Sequence, residues 1–297
     1  MSAESWKLTL PCTRAEAEAI DLEDWIEDRP EHHAPVLMTT EDVIDDAERW
    51  HLDAYFEHRP DAATIAKIRL LVPSAAAIEA RLEQLAGQDW VTLSQAGLVP
   101  VRAGRFVVHT GAHPAEPPVG GRAFLIEASQ AFGTGHHETT AGCLEMLDRL
   151  AVEGGRFASV VDLGTGTGLL AFAARELWPE AAVMATDIDP IAIEVTRDNA
   201  AVNAVAGVAL VVADGTRDAA IVAAAPFDLV IANILAGPLI DMAADVATIA
   251  APGATIVLAG LLTTQADAVV AAYAACGMTS IERAPRGDWS ILRLQAA

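Results

Sequence analysis

A glycine-rich turn near the middle of the chain has the composition of a ligand-binding loop. Residues 160–170 read V-V-D-L-G-T-G-T-G-L-L, so Asp162 stands two residues before the first of three alternating glycines. A β-rich run precedes the turn and a helical pattern follows it, which is the order of a βαβ unit that binds a nucleoside-bearing ligand. The competing interpretation is a helix-capping loop in which the glycines occur by chance.

The spacing of the glycines distinguishes between the classes of ligand that such a turn can bind. Dinucleotide-binding turns follow G-x-G-x-x-G, and phosphate-binding loops follow G-x-x-x-x-G-K-[ST]. Gly164, Gly166 and Gly168 instead form G-x-G-x-G, and the phosphate-loop pattern occurs nowhere in the chain. The turn is more typical of the loop that binds S-adenosylmethionine in methyltransferases. We therefore expect Asp162, Gly164 and Gly166 to bind that cofactor.

Asp187 supplies a second part of the predicted site. It ends the next predicted strand, Val183–Asp187, and lies 19 residues after Gly168. A carboxylate about 20 residues beyond such a turn accepts hydrogen bonds from ribose hydroxyls. We therefore expect Asp187 to bind the ribose of the cofactor.

Asn233 follows a later strand of the same predicted sheet, within the segment I-A-N-I-L-A-G-P. Its side-chain carbonyl can accept a hydrogen bond from an attacking amine while its NH₂ group donates elsewhere, which suits a catalytic role. The alternative is that Asn233 only caps the helix that begins at Pro238. Another glycine-rich segment, A-F-G-T-G-H-H-E-T-T at residues 131–140, is expected to fold over a bound ligand and to open a helix.

The histidines do not form a convincing metal site. His136 and His137 are adjacent and so project in different directions, and no Cys, Asp or Glu stands at a zinc-like spacing from them. His109 and His113 lie in a loop rich in proline and glycine. We expect no metal. The absence of a G-x-S-x-G element also argues against a serine hydrolase.

Strand and helix patterns alternate from Arg122 onward. Strands are predicted at Val160–Leu163, Val183–Asp187, Val208–Val212, Leu229–Ala232, Thr255–Ala259, Thr279–Ala284 and Ser290–Leu294. Helices are predicted at Thr139–Leu150, Leu169–Leu177, Pro190–Ala201, Pro238–Ile249 and Thr263–Cys276. A tight turn at residues 286–288 joins the last two strands into an antiparallel hairpin. The pattern predicts an α/β class I Rossmann-like methyltransferase domain with a seven-stranded sheet, because nicotinamide-binding sheets are normally wholly parallel.

The N-terminal part has a different pattern. Residues 1–93 are predicted to form a small α+β ferredoxin-like domain of the order β-α-β-β-α-β. Its strands are expected at Trp6–Leu10, Pro35–Thr39, Trp50–Phe56 and Trp90–Leu93, and its helices at Arg14–Ile26, Asp61–Leu71 and Ser74–Ala86. Residues 94–121, rich in proline and glycine, are predicted to be a connector that contains a strand at Arg105–His109. The methyltransferase domain would then span residues 122–297.

The charge of the chain limits its partners. The net charge of −22 argues against direct binding of nucleic acid and favours a basic partner or simple solubility. Residues 1–60 hold 16 acids and five bases, so this part could be a docking face or a solvated surface. The cysteines are isolated and no secretory signal is visible, which predicts a cytoplasmic protein. The uncharged stretch 246–266 is split by Pro252-Gly253, so no membrane span is expected. A monomer is expected.

The motifs together resemble those of the ribosomal protein L11 methyltransferases, the PrmA family. The matching segments occur in the family's order at residues 131–140, 161–168, 187–190, 197–200, 232–239 and 258–262. This chain departs from the family in reading G-T-G-H-H-E-T-T where many members have G-T-G-T-H-P-T-T, and in having Thr165 and Thr167 where Cys and Ser are common.

The resemblance implies an N-terminal domain that grips the ribosomal protein, a flexible connector and a class I methyltransferase domain. It implies methyl transfer from S-adenosylmethionine to lysine ε-amines and the N-terminal α-amine of L11. The family's cofactor positions fall on Thr140, Gly164, Asp187 and Asn233. The amine would lose its proton to solvent, with His136 or His137 as the alternative base.

Three alternatives remain at this point. The first is a methyltransferase that acts on another basic protein. The second is an NAD-dependent oxidoreductase built on the same βαβ unit. The third is a non-catalytic ribosome-associated binder with a vestigial cofactor site, against which the presence of Asp187 and Asn233 argues.

Overall fold

The computed structural model of the protein describes residues 5–18, 20, 35–41, 46, 48–56, 58–76, 78, 80–85, 99–126 and 136–297. The chain divides into two compact units, residues 1–94 and residues 95–297. The first contains an antiparallel sheet, and the second contains a mostly parallel sheet together with a small three-stranded one.

The first unit is built on a four-stranded sheet with helices. Its strands are β1 (Ser5–Cys12), β2 (Val36–Glu41), β3 (Trp50–Phe56) and β4 (Arg81–Leu85), and its described helices are α1 (Arg14–Glu18) and α2 (Ala62–Leu71). The order β2-β3-β1-β4, with every neighbour antiparallel, confirms the predicted ferredoxin-like arrangement. Leu8, Leu10 and Leu52 are fully buried, because alternate residues of a strand point to the same face.

The predicted helix at Ser74–Ala86 is wrong. Pro73–Ala75 form a single 3-10 turn, and Arg81–Leu85 form β4, which pairs antiparallel with β1. Leucines at 82 and 85 fit a helical spacing, but the unpaired edge of β1 offers backbone hydrogen bonds, and Leu82 pairs with the buried Leu8. The predicted strand Trp90–Leu93 and the part of the helix Arg14–Ile26 at residues 21–26 lie outside the described residues.

The second unit contains the predicted seven-stranded sheet. Its strands are β8 (Ser159–Leu163), β9 (Ala182–Asp187), β10 (Val208–Val212), β11 (Phe227–Asn233), β12 (Ala250–Leu262), β13 (Thr279–Arg286) and β14 (Trp289–Gln295). Their order is β10-β9-β8-β11-β12-β14-β13. The first five are parallel, and β14 pairs antiparallel with both β12 and β13, which confirms the predicted hairpin.

Helices cover both faces of this sheet. They are α3 (His136–Val152), α4 (Leu169–Leu177), α5 (Pro190–Val202), α6 (Ala219–Ala224), α7 (Ala236–Asp241), α8 (Ala243–Ile249) and α9 (Ala266–Ala275). The helix predicted at Pro238–Ile249 is two helices that meet at Met242. Helix α6 was not predicted from the sequence, because a segment of six alanine-rich residues is too short to display a helical period.

A small three-stranded sheet precedes the large one. It consists of β5 (Val101–Ala103), β6 (Phe106–His109) and β7 (Arg122–Leu125). Phe106 stacks on Phe124 with ring centroids 5.8 Å apart, and Phe124 packs 6.2 Å from Phe172 of α4. Residues 94–121, predicted as a connector, therefore contribute β5, β6 and the buried ring of Phe106 to the second unit.

The C-terminal hairpin is fastened to α3. Three ion pairs join them, Arg286–Glu145 at 2.5 Å, Arg149–Glu282 at 2.8 Å and Arg293–Glu153 at 2.9 Å. Glu145 and Arg149 of α3 and Glu153, which directly follows the helix, stand four residues apart and so lie along one side of it. Such partly exposed pairs contribute about 0–1 kcal/mol each, so they orient the helix more than they stabilise the fold.

Candidate functional site

The turn after β8 requires its glycines. Gly164 and Gly168 have φ angles of +69° and +87°, in the left-handed region that favours glycine. A Cβ at Gly168 would lie 2.5 Å from Cζ of Phe172, and a Cβ at Gly164 would overlap Cγ2 of Ile234. A Cβ at Gly166 would meet no atom of the described residues within 4 Å, so these residues leave space beside this glycine. The turn is thus tightly packed at Gly164 and Gly168 and has space beside Gly166.

Asp162 lies beneath this turn and ties it together. Its Oδ2 atom accepts hydrogen bonds from the Thr165 hydroxyl at 2.6 Å and from the Ala171 N–H at 3.1 Å. The residue is 1% exposed, and its Oδ1 atom is buried without a hydrogen-bond partner among the described residues. Burial, with a smaller contribution from the charge of Asp187, raises the pKa of the Asp162 carboxyl to about 6 despite these hydrogen bonds.

The raised pKa of Asp162 predicts a pH-dependent effect on stability. The pKa of this carboxyl is about 6 in the folded protein, against 3.8 for a free side chain. Its contribution to stability is therefore complete below pH 3.8 and is lost as the pH rises through about 6. Asp162→Asn cannot ionise, so we expect its free energy of unfolding to rise relative to wild type by up to ~3 kcal/mol between pH 4 and pH 7. Urea unfolding of the cofactor-free protein at several pH values measures this difference, and a pH-independent difference would contradict the assignment.

Asp187 ends β9 and contacts the same turn. Its Oδ2 atom accepts a hydrogen bond from the Gly166 N–H at 2.9 Å, and its Oδ1 atom accepts one from the Asp189 N–H at 3.1 Å. A carboxylate has about four lone-pair sites, so each oxygen retains acceptor capacity. The carboxylate is therefore oriented by the backbone and still able to bind a ligand.

Asn233 ends β11, beside the turn. Its Nδ2 atom donates a hydrogen bond to the hydroxyl of Thr140 in α3 at 3.3 Å, and its Oδ1 atom is buried without a hydrogen-bond partner among the described residues. Helix α7 begins after Leu235 without a side-chain cap. The suggestion that Asn233 merely caps this helix is therefore wrong. A buried unpaired acceptor is unfavourable, so this oxygen is available to a donor other than the described residues.

The structure brings the predicted site residues to one edge of the sheet. Strands β9, β8 and β11 are neighbours in the sheet. Asp187 ends β9, the turn follows β8 and Asn233 ends β11, so all three lie at the carboxyl ends, where open α/β sheets bind ligands. Asp214, which was not predicted from the sequence, follows β10 at the same edge and is exposed. Its neighbour Ala213 donates its N–H to the carbonyl of Asp187 at 2.8 Å. The rule that ligands bind at strand ends could have found it.

Some predicted features can be placed only in part. Residues 131–135 of the glycine-rich segment lie outside the described residues, and α3 begins at His136. Among the residues that the structure describes, no three His, Cys, Asp or Glu side chains cluster as metal ligands. Within the same residues, no helix combines the length and apolarity needed to cross a membrane.

Comparison with known proteins identifies the family. The sequence profile described as Ribosomal protein L11 methyltransferase (PrmA) matches residues 2–297. The chain belongs to the PrmA family. It is an S-adenosylmethionine-dependent methyltransferase, and the oxidoreductase and non-catalytic alternatives are therefore wrong.

The similarity to individual PrmA relatives extends over most of this chain and most of each relative. A ribosomal protein L11 methyltransferase from Agrobacterium fabrum is 40% identical over 292 residues, which are 97% of this chain and 99% of the relative. One from Rhodopseudomonas palustris is 43% identical over 247 residues, 82% of this chain and 83% of the relative. The crystal structure of a ribosomal protein L11 methylase from Lactobacillus delbrueckii subsp. bulgaricus matches the fold with a TM-score of 0.59, at 24% identity, covering 67% of this chain and 99% of that one.

The site geometry fits the cofactor of the PrmA family. Open space beside Gly166 leaves room for a ligand along the turn, and the carboxylate of Asp187 keeps lone pairs for ribose hydroxyls. The buried Oδ1 atom of Asn233 requires a donor that no described residue provides.

Proposed function

We propose that this PrmA-family enzyme transfers methyl groups from S-adenosylmethionine to lysine ε-amines and the N-terminal α-amine of ribosomal protein L11. The unpartnered Oδ1 atom of Asn233 carries this proposal, because an amine N–H is the donor that would complete it. The names of the PrmA relatives support L11 as the substrate. The net charge of −22 suits a basic protein substrate in general.

The proposed cofactor contacts follow from the contacts within the site. The backbone of the turn at Gly164 and Gly166 would bind the cofactor, with space for it beside Gly166, and Asp187 would accept hydrogen bonds from the ribose hydroxyls. Asp162, predicted from the sequence to bind the cofactor, is instead proposed to hold the turn in shape, because its carboxylate is buried and hydrogen-bonded to Thr165 and Ala171. Thr140 and Asn233, linked by their hydrogen bond, would border the methyl group.

The chemistry assigned to the protein is mainly positioning. When bound, S-adenosylmethionine supplies a methyl group on a sulfonium, and the sulfur leaves with the electron pair of the broken C–S bond as a neutral thioether. The acceptor lysine has a pKa of about 10.4 and must first lose a proton. Removal of the amine from water disfavours its charged form, and the proton passes to solvent. Asn233 then accepts one N–H through Oδ1, so the nitrogen lone pair can be aligned with the methyl carbon.

Mass spectrometry of the substrate tests this proposal. The full-length enzyme is incubated with S-adenosylmethionine and L11 purified from a strain that lacks the enzyme. The expected result is methyl increments on lysines and on the N-terminal residue of L11, and none on a second basic ribosomal protein treated identically. Unmodified L11 together with methylation of the second protein would favour the alternative substrate class.

The acidic N-terminal part is proposed to dock the substrate. Docking raises the local concentration of the acceptor amine, so we expect a fragment of residues 95–297 to lose about tenfold or more in kcat/KM for L11. Its affinity for S-adenosylmethionine should be unchanged, because all the proposed cofactor residues are retained. Added salt should weaken L11 binding by the full chain if charge contributes. Steady-state kinetics and calorimetry measure both, and full kcat/KM in the fragment would refute docking.

A further inference from the structure

Ile234 directly follows Asn233, the residue proposed to orient the amine, and its side chain contacts the cofactor turn. Its side chain packs on Gly164, where a Cβ would overlap Cγ2 of Ile234 but would stand 3.9 Å from Cβ of Ile234. Gly164 has a φ of +69°, a backbone conformation that favours glycine. The contact with Ile234 also leaves no space for a Cβ. The Cγ2 methyl group of Ile234 is thus in direct contact with the backbone of the turn.

The backbone of Ile234 is fixed from the other side by Gly260. This glycine has a φ of +83° and lies in a β-bulge, since Leu258 pairs with Leu292 whereas Leu261 pairs with Ser290. A Cβ at Gly260 would overlap the carbonyl oxygen of Ile234 and would lie 2.7 Å from its carbonyl carbon and 2.9 Å from its nitrogen. These are backbone atoms, so Ile234 could not yield without moving its neighbour Asn233.

We propose that Ile234 is a positioning residue that sets the separation between the cofactor turn and the side-chain amide of Asn233. Gly260 holds its peptide in place, and its Cγ2 methyl group contacts Gly164 and so transmits that position to the turn. In-line displacement is sensitive to displacements of about 1 Å, so this separation affects turnover. This inference rests on the proposed roles of the turn and of Asn233.

A simple packing role would have a different signature. Ile234 is only half-buried, at the rim of the core that contains Leu163 and Val230. If it only filled space, substitutions would act according to the volume that they remove, and they would lower stability rather than turnover. If Ile234 is a positioning residue, or spacer, that sets the separation between the turn and Asn233, its effect instead depends on the position of one carbon, Cγ2.

Two matched variants separate these roles. Ile234→Val is smaller but keeps both γ-carbons, whereas Ile234→Leu keeps the volume but moves the branch away from Cβ, so Cγ2 is lost. We expect kcat with both substrates saturating to fall about tenfold or more in Ile234→Leu and less than about threefold in Ile234→Val. Thermal unfolding is measured on both. Equal kcat values, or a greater loss in Ile234→Val, would overturn the inference.

A double-mutant cycle tests the contact itself through cofactor affinity, without any acceptor protein. Gly164→Ala should weaken binding of S-adenosylmethionine by about thirtyfold or more in the wild-type background, because the new Cβ overlaps Cγ2 of Ile234. In the Ile234→Ala background the two Cβ atoms are 3.9 Å apart, so the same change should weaken binding by about tenfold or less, the residual loss reflecting the left-handed backbone.

Calorimetric dissociation constants for the four proteins complete the cycle. Additive losses would overturn the spacer role, whatever the acceptor substrate is. A non-additive cycle in an enzyme that leaves L11 unmethylated would retain the coupling between Ile234 and the turn while rejecting the proposed substrate.

Discussion

Replacing Asn233 with alanine is expected to lower kcat by about a hundredfold or more, with a smaller effect on cofactor affinity. The amide oxygen is proposed to orient the neutral amine in the reacting complex, and a misoriented nucleophile loses most of the advantage of proximity. Single-turnover methylation of L11 at saturating cofactor measures the rate, and calorimetry measures the dissociation constant of S-adenosylmethionine.

Thr140→Val provides a matched control for Asn233. Valine keeps the shape of threonine and removes only the hydroxyl that accepts from Nδ2 of Asn233 at 3.3 Å. The amide would remain in place but less well oriented, so we expect a loss in kcat of about tenfold. If Asn233→Ala weakened cofactor binding while turnover of the saturated enzyme stayed unchanged, Asn233 would be a binding residue only.

Replacing Asp187 with alanine is expected to weaken the binding of S-adenosylmethionine by a factor of about a hundred or more. Two ribose hydroxyls would lose a charged acceptor, and hydrogen bonds to charged groups contribute about 1.5–3 kcal/mol each. The variant also removes the acceptor of the Gly166 N–H, which loosens the turn. Calorimetry of the full-length protein measures the affinity.

Asp189→Ala is the control for this experiment. Asp189 is a nearby exposed carboxylate that caps α5 by accepting from the Ile191 N–H at 2.8 Å. Its removal should lower stability by about 1 kcal/mol and leave cofactor affinity unchanged. Equal losses of affinity in the two variants would mean that Asp187 acts through general electrostatics rather than as a ribose ligand.

Sequence patterns predicted the large sheet well because its strands carry buried runs of valine and isoleucine flanked by turn residues. The glycines after β8, the acid at the end of β9 and the asparagine at the end of β11 follow from the same alternation of strand and helix. Strand ends of a parallel sheet meet at one edge, so the approximate site followed from the order of elements alone.

The remaining features depend on contacts between distant parts of the chain. β4 is a strand because the edge of β1 lies beside it, and its own sequence fits a helix equally well. Asp162 is part of the recognised motif, but only packing reveals that its carboxylate is buried beneath the turn. The contact between Thr140 and Asn233 joins residues 93 positions apart, and the packing of Gly164 and Gly260 around Ile234 likewise has no local signal.

The ion pairs of the C-terminal hairpin also protect the sheet against aggregation. β13 is an edge strand, and an open edge can template pairing with another chain. Pro285 lacks the N–H that an added strand would need, and Glu282 and Arg283 put charge along the strand, paired with Arg149 and Asp267. An incoming strand would have to displace these charges. Growth of the sheet by strand addition at the β13 edge is therefore disfavoured.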